Sequence, residues 1–90
     1  MDFEFDQNKS IKNKEKHNID FEEAKLLWND KNSMVVPANI VNGEVRYALI
    51  SKLKNKCYVA IFTIRGDNYR IISVRRCRKN EELNYENNNC

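Results

Sequence analysis

All six arginines of this 90-residue chain, Arg46, Arg65, Arg70, Arg75, Arg76 and Arg78, lie within a single stretch of it. With Lys52, Lys54, Lys56 and Lys79 they give residues 45–79 ten basic groups against one acid, Asp67. A guanidinium is a planar fork that can pair with two phosphate oxygens at once, so clustered arginines point to a polyanionic partner. The plainer reading of such a run is a solvated basic face. Against it, four of these arginines sit in or beside stretches otherwise built of core residues. The net charge of +3 hides the asymmetry: residues 1–45 carry six Lys/Arg against nine Asp/Glu, and residues 46–90 carry ten against four.

Groups able to move protons are few. His17 carries the side-chain type most often used for proton transfer, but a histidine in the last turn of a helix also caps carbonyls and suits the helix dipole. Glu44 beside a turn, Glu81 at a helix start, Lys16, and Tyr85 are the other candidates. Each has an ordinary role as surface charge, helix-terminal acid or buried ring. Ser73 lacks the histidine and acid pattern of a nucleophilic serine. One histidine excludes a histidine-rich metal site, and two glycines, Gly43 and Gly66, exclude a glycine-rich phosphate loop. Cys57, Cys77 and Cys90 are odd in number and far apart in sequence. They read as two small buried thiols in a reducing compartment and a free terminal thiol, with neither disulfide framework nor zinc spacing.

Ninety residues make one domain, 1–90, with a frayed tail over about 87–90, and leave too little interior for a deep pocket. Chemistry is therefore expected on an open face. The longest apolar run, Cys57 to Ile64, is under half a membrane span. Asp2, Glu4 and Asp6 carry the wrong sign for a secretory signal, so the expectation is a soluble cytoplasmic protein with no membrane contact.

Phe3-Glu4-Phe5 alternates as a short strand. Asp6 caps a polar helix over Gln7 to His17, with Lys9, Lys12, Asn13 and Lys16 as a basic stripe and Asn18 as a left-handed end. Asp20 and Glu23 form an acidic capping box, and Phe21, Ala24, Leu27 and Trp28 form an apolar helical face. From Ser33 the period becomes two. Pro37 marks an edge strand or bulge, and Asn42-Gly43 and Arg65-Gly66-Asp67-Asn68 mark tight turns. Val45 to Leu53 alternates, Cys57 to Ile64 is apolar on both faces and hence central, and Tyr69 to Arg76 alternates again. Glu81 to Tyr85 forms a short terminal helix, with residues from Glu86 fraying. The fold class is α+β: N-terminal helices packed on a small antiparallel sheet, with a short C-terminal helix.

The ordered set Phe3-x-Phe5-Asp6-x-x-Lys9, Lys16-His17-x-Ile19-x-Phe21-x-x-Ala24, Gly43-Glu44-x-Arg46, Thr63-x-Arg65-Gly66-Asp67, Arg70-Ile71-Ile72-Ser73-x-Arg75 and Glu81-x-x-x-Tyr85 resembles the BrnT toxins of type II toxin–antitoxin pairs. The resemblance covers residues 3–86. The chain departs from the family pattern at Asn18 for glycine, Phe5 for tryptophan, Cys77 for alanine and Asn80 for a basic residue. The resemblance implies a RelE-like fold and an mRNA-cleaving toxin that blocks translation without a cofactor or metal. It also implies a small ribbon-helix-helix antitoxin of the BrnA type, which holds the toxin in a hetero-oligomer and brings it to DNA only indirectly.

RNA carries its own nucleophile, the 2′-hydroxyl. Cleavage needs that proton removed, charge on the five-coordinate phosphate stabilised and the departing 5′-oxygen protonated. For these tasks the resemblance and the residue types together single out Arg46, Arg65, Arg70, Arg75, His17, Glu44 and Tyr85, with Lys9, Lys16, Arg76, Arg78 and Lys79 along the RNA. Arg70 and Arg75 are five positions apart and point to opposite faces of a regular strand. They can serve one site only if the strand twists or bulges between them, and a division of labour is expected in which one arginine holds a carboxylate such as Glu81 or Glu44. Two other readings share these residues: a non-catalytic nucleic-acid-binding module, and an inactive toxin that retains only antitoxin binding.

Overall fold

The computed structural model describes residues 2–88. Five strands form one sheet: β1 (Asp2–Glu4), β2 (Met34–Val41), β3 (Glu44–Leu53), β4 (Lys56–Arg65) and β5 (Asn68–Arg76), in the order β1-β5-β4-β3-β2. Helices α1 (Gln7–His17) and α2 (Phe21–Ala24), the latter running on into a 3-10 turn over Lys25–Asn29, cover one face. Helix α3 (Lys79–Asn88) covers part of the other. Among the described residues no helix is long and apolar enough to cross a membrane.

Local chemistry sets the helix ends. The Asp6 carboxylate accepts from the backbone N–H of Asn8 (2.8 Å) and Lys9 (3.2 Å), and Asn18 closes α1 at φ 62°. Asp20 and Glu23 form the reciprocal capping box that opens α2. Phe21, Ala24 and Leu27 are almost wholly buried against Leu49, Ala60, Phe62, Ile71 and Val74 of the sheet. Trp28 meets Phe3 and Phe62 edge-on at ring separations of 5.0 and 5.3 Å.

Asn13 does not belong to a basic stripe. It points inward with Ser10, and its amide donates to the Ile19 (2.8 Å) and Val74 (2.9 Å) carbonyls while accepting from the Val74 N–H (3.2 Å). β1 accompanies β5 only as far as Arg70, so the edge of β5 at Val74 has no strand beside it. The Asn13 side chain serves as that missing strand. Asn13→Ala should leave buried backbone groups unpaired and lower the stability by about 2–4 kcal/mol, read as a urea midpoint shift without loss of helix content.

Four expectations need correction. The sheet is mixed, because β1 runs parallel to β5, with Phe3 opposite Tyr69 and Glu4 opposite Arg70. The alternation of β5 breaks: Ile61 faces Ser73 but Phe62 faces Ile71, which leaves Ile72 as the extra residue of a bulge. Helix α3 begins before Glu81 and continues to Asn88, so residues 86–88 are helical; Asn89 and Cys90 lie outside the described residues. Lastly, Cys57 and Cys77 are joined as a disulfide with Cα atoms 5.3 Å apart. The β4–β5 hairpin folds their 20-residue separation back on itself, and the Cys77 N–H donates to the Cys57 carbonyl at 2.9 Å. The cysteines therefore give no support to a reducing compartment.

Candidate functional site

Directly paired residues of neighbouring strands share a face of the sheet. Thr63 pairs with Arg70 and Glu4 with Arg70, while Arg46 precedes Tyr47, whose partner Phe62 precedes Thr63. One row therefore crosses four strands, Arg46–Thr63–Arg70–Glu4, on the face away from α1 and α2. Glu44 and Arg65 make the row beyond it, joined by Arg65 Nε to Glu44 Oε2 at 3.1 Å. Neighbouring strands are about 4.8 Å apart, so side chains as long as arginine from β3 and β5 can meet above Thr63. The buried Thr63 hydroxyl donates inward to the Val45 carbonyl at 2.7 Å, which keeps the centre of the row low.

The bulge at Ile72 brings Arg75 onto this same face, where it pairs with Val59. The two arginines of β5 nevertheless do different things. Arg75 grips Glu81 with two bonds of 2.8 Å each, and the Arg78 N–H also donates to Glu81 at 2.7 Å. The Arg75 guanidinium holds the Glu81 carboxyl at a pKa of about 2 against the pull of burial, and Glu81 in turn raises that of Arg75. This pair fastens the start of α3 to the sheet. Arg70 instead makes one contact, Nη1 to Glu4 Oε2 at 3.0 Å.

Arg65–Glu44 and Arg70–Glu4 are both partly exposed, and such pairs are worth about 0–1 kcal/mol. A phosphate can displace their carboxylates at little cost. Arg46 has no such partner among the described residues. Its Nε is buried without a hydrogen-bond acceptor, and its side chain walls a depression shared with Val41, Asn42, Glu44 and Arg65. The Arg46 and Arg65 side chains and the Glu44 carboxylate therefore line an open recess that suits a phosphodiester, with Arg70 on the same face beyond Thr63.

The other candidates lie elsewhere. His17 ends α1, with Lys9 and Lys16 exposed along the same helix, in the layer over the opposite face. Tyr85 is buried: its hydroxyl donates to Asp30 at 2.6 Å, Lys52 lies 5.4 Å over its ring, and burial with the Asp30 contact raises its pKa to about 12. Asp30 is a hub for this end, also accepting from the N–H groups of Lys52 and Asn32 and from the Ser51 hydroxyl. Those bonds outweigh burial and hold its carboxyl below the ordinary carboxylate range. Arg76 lies over Tyr58 at 5.6 Å, and Arg78 and Lys79 are exposed where α3 begins. The sequence reading passes over Glu4, whose alternation with Phe3 and Phe5 already turns it to the other face. Its meeting with Arg70 depends on a parallel pairing that no local signal announces.

No curated protein matches this chain. A family model described as the ribonuclease toxin, BrnT, of type II toxin–antitoxin systems matches residues 5–81, a span that takes in Arg46, Arg65, Arg70 and the Arg75–Glu81 clasp, and the chain belongs to that family.

Proposed function

We propose that this protein is a metal-independent endoribonuclease whose scissile phosphate rests against Arg46, Arg65 and Arg70. The observation that supports the reading is that Arg46, Arg65 and Arg70 come from three neighbouring strands to one face of the sheet, in a chain of a ribonuclease toxin family. Phosphate oxygens displace Glu44 from Arg65. Glu44 then takes the proton of the 2′-hydroxyl, the 2′-oxygen bonds to phosphorus, the P–O5′ bond breaks, and the 5′-oxygen takes a proton from water. The arginines stabilise the charge of the five-coordinate state. The products are a 2′,3′-cyclic phosphate and a 5′-hydroxyl.

The same reading makes the protein one RelE-like toxin domain acting on mRNA in the cytoplasm, with translation arrest as the outcome. A small ribbon-helix-helix antitoxin of the BrnA type neutralises it in a hetero-oligomer and supplies the only contact with DNA. Purified protein incubated with RNA in excess chelator should give new fragments ending in 2′,3′-cyclic phosphate. Salt-dependent binding without fragments would instead make it a nucleic-acid-binding module. Tight antitoxin binding with neither cleavage nor growth arrest would make it an inactive toxin.

A further inference from the structure

We infer that the depression between the end of α1 and the β3–β4 turn is a second phosphate-binding site, which holds the RNA strand at a distance from the bond that is cut. The inference rests on the ribonuclease reading and adds a distal binding element to it. Lys14, Lys54 and Lys56 line the depression together with Glu23 and Tyr58. Arg76 adds a fourth cation beside it, its guanidinium 5.6 Å from the centre of the Tyr58 ring. Among the described residues Glu23 is the one carboxylate in the wall, and it is already engaged. It accepts from Lys14 Nζ at 2.6 Å and from the Asp20 N–H at 3.0 Å. Three lysines and an arginine against one acid leave the depression cationic.

Two features separate this surface from an ordinary solvated basic face. Lys54 and Asn55 form the β3–β4 turn with left-handed φ angles of 52° and 66°, positions that favour glycine, asparagine or aspartate. The turn itself therefore does not call for a lysine at 54. The second feature is the lack of an apolar anchor. Ile19 and Tyr58 in the wall are almost wholly buried, and among the described residues no exposed large hydrophobic side chain lines the depression. A protein segment docks through apolar anchors, whereas a phosphate backbone needs only cations. The occupant that fits is nucleic-acid backbone. Tyr58 and Thr63 are five residues apart on β4 and point to opposite faces, so the depression lies about 17 Å along the strand from the catalytic row. Arg76 and Arg78 flank Cys77, whose N–H donates to the Cys57 carbonyl at 2.9 Å, which sets both arginines beside the start of β4 with Lys56. They continue the basic surface round this end of the sheet.

Binding of 2′-deoxy oligonucleotides of about 4 and about 16 nucleotides, which cannot be cut by this route, tests the assignment. The natural protein should hold the longer one more tightly and with a steeper dependence on salt. Lys54→Asn, which suits the left-handed turn, combined with Lys56→Gln should remove that advantage. The slope of log affinity against log salt should become shallower by about 0.7 for each lysine lost. Both side chains are exposed, so an unchanged melting temperature shows that the double variant folds. Lys31→Gln, which removes a charge outside the depression, should keep the natural slope. On a long transcript the double variant should raise KM more than it lowers kcat. The two claims fail separately: absence of cleavage by the natural protein removes the chemistry, and the oligonucleotide arm still reads the second site. Equal affinity and equal slope in the natural and double-variant proteins overturn the site. The same shift per charge in Lys31→Gln also overturns it, as a general effect of net charge. Loss of antitoxin binding alone, with oligonucleotide binding unaltered, overturns it too and makes the depression a dock for an acidic protein segment.

Discussion

Arg46→Ala is expected to slow RNA cleavage by about 10²–10³-fold, the loss found when one well-aimed donor to a transition-state anion is removed. The same variant should unfold at nearly the urea concentration of the natural protein, because Arg46 holds no carboxylate in the resting structure and its Nε gains nothing from the fold. That combination separates it from its neighbours. Arg65→Ala and Arg70→Ala should lose comparable rate but also release Glu44 and Glu4, at a stability cost of about 0–1 kcal/mol each. Arg46→Lys keeps the charge and loses the fork, so it should recover only part of the rate. Single-turnover cleavage of an end-labelled RNA measures the rates, and growth arrest on induction gives the cellular counterpart. An Arg46→Ala protein that cuts as fast as the parent would remove the phosphate from this recess.

How much of this was legible in the sequence follows from the range of the interactions involved. The first helix has the ends expected of Asp6 and Asn18 because both act on backbone groups within four residues of themselves. The Asn42-Gly43 turn takes left-handed angles at both residues, 52° and 78°, for the same reason. Pro37 marks the edge strand and its bulge because a residue without an N–H fits few other places in a sheet. What escaped depends on partners far along the chain. The bulge at Ile72 comes from the register against Ile61 and Phe62, yet it decides whether Arg70 and Arg75 share a face. Asn13 is polar and sits between lysines, and only the uncovered edge of β5 explains why it turns inward. Residue types on this face announced an anion site; which arginine was occupied and which was available needed the carboxylates opposite them.

The Arg75–Glu81 clasp gives the largest pH effect expected here. Glu81 has an ordinary carboxylate pKa of 4.5 when the chain is unfolded and about 2 when folded. A carboxyl whose folded pKa is depressed stabilises the fold fully above the unfolded value and loses that contribution as pH falls through the folded one. The clasp therefore acts in full at neutral pH and is lost between about pH 4.5 and 2, with a shift of that size on the order of 2–3 kcal/mol. Glu81→Gln should lower stability by that order at pH 7 and little at pH 2, so the urea midpoints of the two proteins converge on acidification. The loss should start in α3, since Arg75 and the Arg78 N–H are what Glu81 holds there. Hydrogen exchange should then show α3 opening while α1 stays protected by Asn13. Parallel urea midpoints across this pH range would mean that the pair is ornamental. Convergence with intact cleavage at neutral pH would place Arg75 in the scaffold, leaving Arg46, Arg65 and Arg70 to the phosphate.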